Sequence, residues 1–425
     1  MKINKISKII AEIKVPADKS ITHRAIMLSC LANGTSAVNN YLHSDDCLMT
    51  MNAFKAMGVD IVQTSGRLTI KGAGLNGLKK SPYSIYAGNS GTTTRLISGI
   101  LAGQKFTTVI NGDESLSKRP MKRVIEPLRL MNADITADKD NFLPMTIKET
   151  HGLKAIDYIS KVASAQVKSC ILLAGLYADG ITSVTEPEKS RDHSERMLKA
   201  FGADIVEDNL KVSIKKCDRL FAQEVNVPSD ISSAAFFIAA GLILKNSRIK
   251  ILGVNVNPTR DGIIEIMKNM GANIKFENIR NVSGEEVADI EISSSDLCGV
   301  NIDGKIMPRL VDEIPVIALC ATQAEGTTVI SGAKELRVKE SDRLSAIATQ
   351  LQKMGADIKE TEDGLIIRGK TKLTGCRVDS FKDHRIAMML SVAGLIAEGT
   401  TEITDSSCVN ISFSNFYDIL KQVCS

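Results

Sequence analysis

Several short segments combine hydroxyls, amides and cations at spacings suited to a multiply charged anion. Lys19-Ser20-Ile21-Thr22-His23-Arg24 offers an ammonium, a hydroxyl and a guanidinium, with Ser20 and Arg24 one turn apart on a predicted helix face. Gly88-Asn89-Ser90-Gly91-Thr92-Thr93-Thr94-Arg95 lets backbone amides approach an anion closely, and it lacks the lysine spacing of a nucleotide P-loop. Downstream, the run Ser117 to Arg123 adds Lys118, Arg119, Lys122 and Arg123, a pattern that also suits a solvated face. Ser164-Ala165-Gln166-Val167-Lys168 starts another helix. Ser190-Arg191-Asp192-His193 lies between a strand and a helix, with Arg191 the ligand candidate and His193 reading as a surface or capping histidine. Any single one of these helix starts, taken alone, reads as simple capping.

Glu335-Leu336-Arg337-Val338-Lys339-Glu340-Ser341-Asp342-Arg343 sets a carboxylate among cations, and the spacing predicts Lys339 and Arg343 one helical turn apart with Glu340 adjacent. Such a carboxylate suits general acid or base work; the same alternation also suits an exposed helix start laced with ion pairs. Asp312 precedes the apolar stretch Ile314 to Ala321, and Asp383-His384-Arg385 precedes Ile386 to Ile396 in the same way. Each aspartate reads as a helix N-cap unless a partner hydroxyl gives it chemistry. The five histidines show no metal-ligand spacing, and the nine cysteines, scattered from Cys30 to Cys424, lie outside CxxC reach of one another. No metal or cofactor is expected, and a reducing cytoplasm fits the thiols.

Something must position these segments. At 425 residues, 44% hydrophobic and 24% charged, the chain has the composition of a globular protein of two domains. Its net charge of +4 does not argue for nucleic acid or a membrane, so any anion site is built locally. Met1 to Val15 lacks the apolar core of an export signal, and the longest apolar run, Ala234 to Leu244, is too short to span a bilayer and predicts a buried helix.

Met57-Gly-Val-Asp-Ile61, Met131-Asn-Ala-Asp-Ile135, Phe201-Gly-Ala-Asp-Ile205, Met270-Gly-Ala-Asn-Ile274 and Met354-Gly-Ala-Asp-Ile358 recur roughly every 70 to 85 residues. Each follows an amphipathic segment and precedes a β-type alternation, so helix, small-residue stop and strand is the local reading. A second element, seen at Leu176-Tyr-Ala-Asp-Gly180 and Glu398-Gly-Thr-Thr-Glu402, ends another helix and opens a strand. Six βαβ-type units result, the last ending without its final strand pair. Helix starts carry Ser20, Asn89 with Ser90, Ser164, Ser229 with Asp230, Asp312 and Asp383 as expected caps, and several such N-termini converging would attract an anion. A solenoid, a ring or two three-unit domains all remain open from the pattern. The similar segments Val15-Pro16-Ala17-Asp18 and Val227-Pro228-Ser229-Asp230 point to two crossovers, giving a split domain of residues 1–17 plus 229–425 and a continuous domain of residues 18–228.

In order along the chain, K-S-x-x-x-R (Lys19 to Arg24), G-N-S-G-T (Gly88 to Thr92), S-A-Q (Ser164 to Gln166), R-V-K-E-S-D-R (Arg337 to Arg343) and D-H-R (Asp383 to Arg385) resemble the 5-enolpyruvylshikimate-3-phosphate synthase family. The resemblance implies an α/β fold, a two-domain enolpyruvyl transferase-like inverse α/β barrel of six βαβαββ repeats, three per domain, which closes over substrate in the interdomain cleft. It implies that shikimate 3-phosphate is held by Lys19, Ser20, Arg24, Ser164, Ala165, Gln166, Arg191, Asp312 and Lys339, and phosphoenolpyruvate by Lys19, Gly91, Arg119, Gln166, Arg343 and Arg385. Asp312, Glu340 and Lys19 would then be catalytic, in a metal-free, monomeric, cytoplasmic enzyme.

Ser190 to Glu195 and Asn257-Pro258-Thr259-Arg260 resemble motifs of a bacterial subgroup. Two positions depart from familiar members: Glu335 replaces an asparagine at the acceptor ring, and Ile411 a lysine at phosphoenolpyruvate. UDP-N-acetylglucosamine enolpyruvyl transferases share the fold but use a loop cysteine, and Asn111 to Pro120 contains none. A non-catalytic binding protein built from the same repeats would line a surface with its cations, whereas here they gather at helix starts beside Asp312 and Glu340.

Overall fold

The computed structural model describes residues 1–424. The chain divides into two compact units, one formed by Met1–Pro16, Pro228–Asn281 and Glu286–Ser425, the other by Ala17–Val227 with Val282–Glu285. Each has its own core.

Six small sheets repeat one wiring. In the second repeat Ile85–Tyr86 runs parallel to Thr108–Asn111, which pairs antiparallel with Phe142–Ile147, and that strand pairs antiparallel with Ile135–Asp138. Asp157–Ile159 with the strands after it, and Asn301–Ile302 with its successors, repeat the order. The first sheet of each unit takes its parallel strand from a crossover: Glu224–Asn226 beside Ala32–Asn39, and Ile10–Ile13 beside Arg248–Asn255. The sixth repeat ends without a strand pair, and Lys2–Asn4 supplies the antiparallel neighbour of Thr400–Thr404. A strand from the start of the chain thus fills the gap at its end.

The recurring stop motif has a common geometry. Met57, Met131, Phe201, Met270 and Met354 are helix C-caps. The next residue, Gly58, Asn132, Gly202, Gly271 or Gly355, has positive φ, between 71° and 100°. The third residue's N–H reaches back five residues, as from Val59 to the Phe54 carbonyl and from Ala356 to that of Leu351. This is a Schellman cap, which requires a left-handed residue and so selects glycine or asparagine.

Helices Lys19–Leu31, Gly91–Ala102 and Ala165–Gly175 form the centre of the second unit, and Ile231–Ile243, Ile314–Gln323 and His384–Ile396 that of the first. All six are apolar round most of their circumference, because each packs against a sheet and against a counterpart, and Gly91–Ala102 and the three helices of the first unit against both counterparts. Polar residues are confined largely to their first turns. Ile231–Ile243 contains most of the apolar run singled out above, and no described helix is long and apolar enough to cross a membrane. The caps differ from expectation in two places. Asp18 rather than Ser20 caps the first helix, accepting from the Ile21 N–H at 2.9 Å, and Glu313 rather than Asp312 occupies the cap position before Ile314.

Candidate active site

In the unit of residues 17–227, the first turns of the three central helices carry the expected residues. Lys19 and Ser20 open the first, and the Lys19 ammonium lies 3.0 Å from Asp46 Oδ2. Arg24, one turn on, is buried: Nη1 donates to the Ser20 carbonyl at 3.0 Å, Nε to Ser194 Oγ at 2.6 Å and Nη2 to Ser169 Oγ at 2.8 Å. Burial pulls its pKa down to about 10; Glu195 opposes that fall and Arg191 adds to it. Two cations that raise each other's electrostatic energy are what a bound anion relieves.

At the second helix start, Ser90 caps Gly91–Ala102. Gln166, in the first turn of the third helix, accepts from Arg95 Nη1 at 2.6 Å and donates to Thr92 Oγ1 at 3.1 Å, which couples the two starts. Arg119 turns inward from its basic run, with Nη1 3.4 Å from the Asn89 carbonyl, whereas Lys118 is exposed and paired with Glu114. A Cβ at Gly91 would lie 3.2 Å from Arg95 Nη1 and 3.7 Å from Arg119 Nη1, so glycine keeps the space between the two guanidinium groups open. Ser164 caps the helix that Ala165 begins.

Beneath these starts runs a buried chain of hydroxyls. His23 Nδ1 lies 2.7 Å from Thr50 Oγ1, Thr50 2.7 Å from Thr93, and Thr93 2.7 Å from Ser90. Burial, then the charges of Lys19 and Arg24, push the His23 pKa down, so its imidazole is neutral. His193, expected at the surface or as a cap, is instead fully buried, with Nδ1 2.7 Å from Glu285 Oε1.

The other unit gathers the carboxylates. Arg343 is 1% exposed and meets three of them: Asp383 (Nε to Oδ2, 2.8 Å), Glu340 (2.5 Å) and Asp312 (3.4 Å). Burial works against its charge, but Asp383 and Glu340 outweigh burial and raise its pKa. Asp383 caps His384–Ile396, and its carboxyl, pushed up by burial, is held below the usual range by Arg343. Asp312 does not cap. Its side chain sits between Arg343 and Arg385, whose Nη2 is 3.6 Å from Oδ2, while Arg385 Nη1 donates to the Asp312 carbonyl at 3.2 Å.

The segment expected as one helix is broken. Lys334–Val338 is a 3-10 turn, Lys339 is extended, and the helix Arg343–Lys353 begins after the cap Asp342, so Lys339 and Arg343 do not share a helix face. Lys339 is half-buried, with Nζ 3.4 Å from Glu335, the residue that stands where asparagine was expected.

Four participants escaped sequence reasoning: Asp46, Arg95, Arg260 and Glu313. Arg95 ends the glycine-rich segment and could have been suspected from that position. Arg260, presented by a turn in which Asn257 Oδ1 accepts from the Thr259 N–H at 2.8 Å, donates to Ser232 Oγ at 2.7 Å. Ser232 in turn donates to Glu313, a buried carboxylate 3.9 Å from Arg385. The Asn257-to-Arg260 motif thus underlies the arginine cluster. No group of metal-ligating side chains occurs among the described residues.

Six repeats of one wiring in two units, with cations and amides in the first turns of their central helices, place the protein in the class of enolpyruvyl transferase-like inverse α/β barrels. The family described as EPSP synthase (3-phosphoshikimate 1-carboxyvinyltransferase) matches residues 3–420. A 3-phosphoshikimate 1-carboxyvinyltransferase of Endomicrobium trichonymphae is 57% identical over 428 residues, covering 100% of this chain and 99% of its own, and that of Desulforamulus reducens is 52% identical over 99% and 98%. A solved EPSP synthase from Acinetobacter baumannii superimposes with a TM-score of 0.88 at 46% identity, covering 99% of this chain and 97% of its own. The chain belongs to the EPSP synthase family.

Proposed function

We propose that the two clusters perform one reaction, the transfer of the enolpyruvyl group of phosphoenolpyruvate to the 5-hydroxyl of shikimate 3-phosphate with release of phosphate, a step of the shikimate pathway toward chorismate and the aromatic amino acids. Lys19, Ser20, Arg24, Ser164, Ala165, Gln166, Arg191, Asp312 and Lys339 hold shikimate 3-phosphate. Lys19, Gly91, Arg119, Gln166, Arg343 and Arg385 hold phosphoenolpyruvate, the arginine forks matching phosphate and carboxylate oxygens in pairs.

The observation that carries the reading is that Asp312 and Glu340 share the buried Arg343. One guanidinium then fixes two carboxylates beside the donor, and each can take a separate proton. Asp312 accepts the proton of the 5-hydroxyl as that oxygen bonds to the central carbon of the enol, and Glu340 protonates the methylene carbon. The tetrahedral adduct collapses when phosphate leaves: Glu340 recovers a methyl proton, the carbon–carbon double bond re-forms, and Lys19 balances charge on the departing phosphate. The cations supply the charge that binding two anionic substrates and releasing phosphate needs, which supports a metal-independent reaction. The nine free thiols support a cytoplasmic setting, and a monomer is the working form.

The test is phosphate release by the purified protein given phosphoenolpyruvate with shikimate 3-phosphate, in parallel with UDP-N-acetylglucosamine and with a chelator. Release with shikimate 3-phosphate alone, unaffected by the chelator, is expected. Release only with the nucleotide sugar would overturn the acceptor assignment. Glu340→Gln should keep both KM values within about threefold while kcat falls about a hundredfold, because the shape stays and the proton is lost. Near-normal kcat in that variant would remove Glu340 from proton transfer.

A further inference from the structure

Behind the acceptor residues lies a buried ionic triad. Lys168 Nζ is 2.7 Å from Glu186 Oε2, 2.7 Å from Glu195 Oε1 and 3.3 Å from the Ser190 carbonyl, and none of the three charged side chains is more than 3% exposed. Lys168 belongs to helix Ala165–Gly175, Glu186 follows strand Ile181–Thr185, and Glu195 lies in the first turn of helix His193–Ala200. Three elements therefore meet at one ammonium.

The bonds made by Glu186 give the triad a direction. Its Oε1 accepts from the Ser164 N–H at 3.0 Å, and its Oε2 accepts from the Ser190 N–H at 3.3 Å and the Ser190 hydroxyl at 2.8 Å as well as from Lys168. Four donors converge on two oxygens, a task only a carboxylate can perform, since an amide would turn a donor toward one of them. The backbone thus fixed belongs to Ser164, which caps the helix bearing Ala165 and Gln166, and to Ser190, which precedes Arg191. Glu195 acts on the third acceptor group: it is the largest influence opposing the fall in the Arg24 pKa, and its neighbour Ser194 accepts from Arg24 Nε at 2.6 Å. Burial raises the Glu195 pKa while Lys168 lowers it, and Lys168, despite its burial, is held protonated by the two glutamates.

We infer that Lys168, Glu186 and Glu195 form a positioning device for the acceptor, holding Ser164, Arg191 and Arg24 in the arrangement that recognises the phosphate and carboxylate of shikimate 3-phosphate. The inference rests on the acceptor assignment above. A triad with a merely structural role would lower thermal stability and leave substrate affinity alone. A positioning triad moves the affinity for shikimate 3-phosphate selectively, because the groups it orients touch that substrate.

The experiment compares the full-length protein with Glu186→Gln, Ser190→Ala and, as a control on the acceptor site, Arg24→Ala. Calorimetric titration with shikimate 3-phosphate is combined with steady-state kinetics and thermal melting. Glu186→Gln should raise the Kd and KM for shikimate 3-phosphate about tenfold and Ser190→Ala about threefold, with kcat at saturation changed less than about threefold. Unchanged affinity in Ser190→Ala and Glu186→Gln, beside a weakened Arg24→Ala, overturns the positioning role and leaves the site intact. Unchanged affinity in Arg24→Ala overturns the site itself, and the triad's role with it. Should Glu186→Gln fail to fold, Ser190→Ala, which removes one hydroxyl donor, decides the question.

Discussion

Arg343→Met is expected to abolish phosphate release and to destabilise the protein by about 3–5 kcal/mol, the usual consequence of stripping a buried charge cluster of one partner. The arginine lies 2.8 Å from Asp383, 2.5 Å from Glu340 and 3.4 Å from Asp312, and Asp383 is completely buried. A methionine fills the volume but leaves Asp383 with the Ser341 hydroxyl at 3.0 Å and the Arg385 N–H at 2.9 Å as its donors. The pH dependence separates this account from a packing defect. In the native protein Arg343 keeps the Asp383 carboxyl below its ordinary value, so its contribution is full above the unfolded pKa of about 4 and is lost as pH falls through the folded value. In the variant the main influence holding the Asp383 pKa down is gone, and burial, with Glu340 adding to it, raises that pKa. The penalty should therefore be largest near neutrality and shrink as pH falls and the carboxyl takes up a proton. Melting curves across pH measure it directly. A deficit that does not vary with pH would show that Arg343 matters for its volume rather than its charge.

The part of the fold legible in the sequence is the part that local chemistry dictates. The stop motif could be read because a Schellman cap needs positive φ, and Gly58, Asn132, Gly202, Gly271 and Gly355 meet that need with the two residue types that tolerate it. The apolar helices and their polar first turns were visible for a similar reason, since a helix buried on all sides has only its ends left for charge. Contacts between repeats were hidden. Even within one repeat, nothing near Lys168 announces Glu186 or Glu195, and across repeats Arg343 finds Asp383 only because two helices begin beside one another. The break before Arg343 was legible but masked. Alternating charge from Glu335 onward mimics an exposed helix, yet Ser341-Asp342 supplies a capping aspartate, which accepts from the Ser345 N–H at 3.2 Å. His193 was misplaced because a histidine's exposure depends on its partner, and Glu285 lies far along the chain.

Asp312→Asn should leave the fold and the affinity for shikimate 3-phosphate nearly intact while lowering kcat by about 10² to 10⁴, the range typical of losing a positioned general base. The geometry makes this a clean substitution. The Asp312 carbonyl, which accepts from Arg385 at 3.2 Å, is unaffected, and the asparagine side-chain oxygen can still face Arg343, 3.4 Å from Oδ1 in the native protein. What changes is the second oxygen, 3.6 Å from Arg385 Nη2, where an amide nitrogen would replace an acceptor. The variant thus retains an orienting contact but cannot take a proton from the 5-hydroxyl. Glu340→Gln should be impaired in both addition and collapse, because its proton goes to carbon and is taken back from it. With saturating substrates, Asp312→Asn would stall before the tetrahedral adduct forms, and rapid-quench analysis of a single turnover should find no adduct. An adduct that accumulates in Asp312→Asn would move the base function to another group, and a kcat within about tenfold of the parent would remove Asp312 from the proton path.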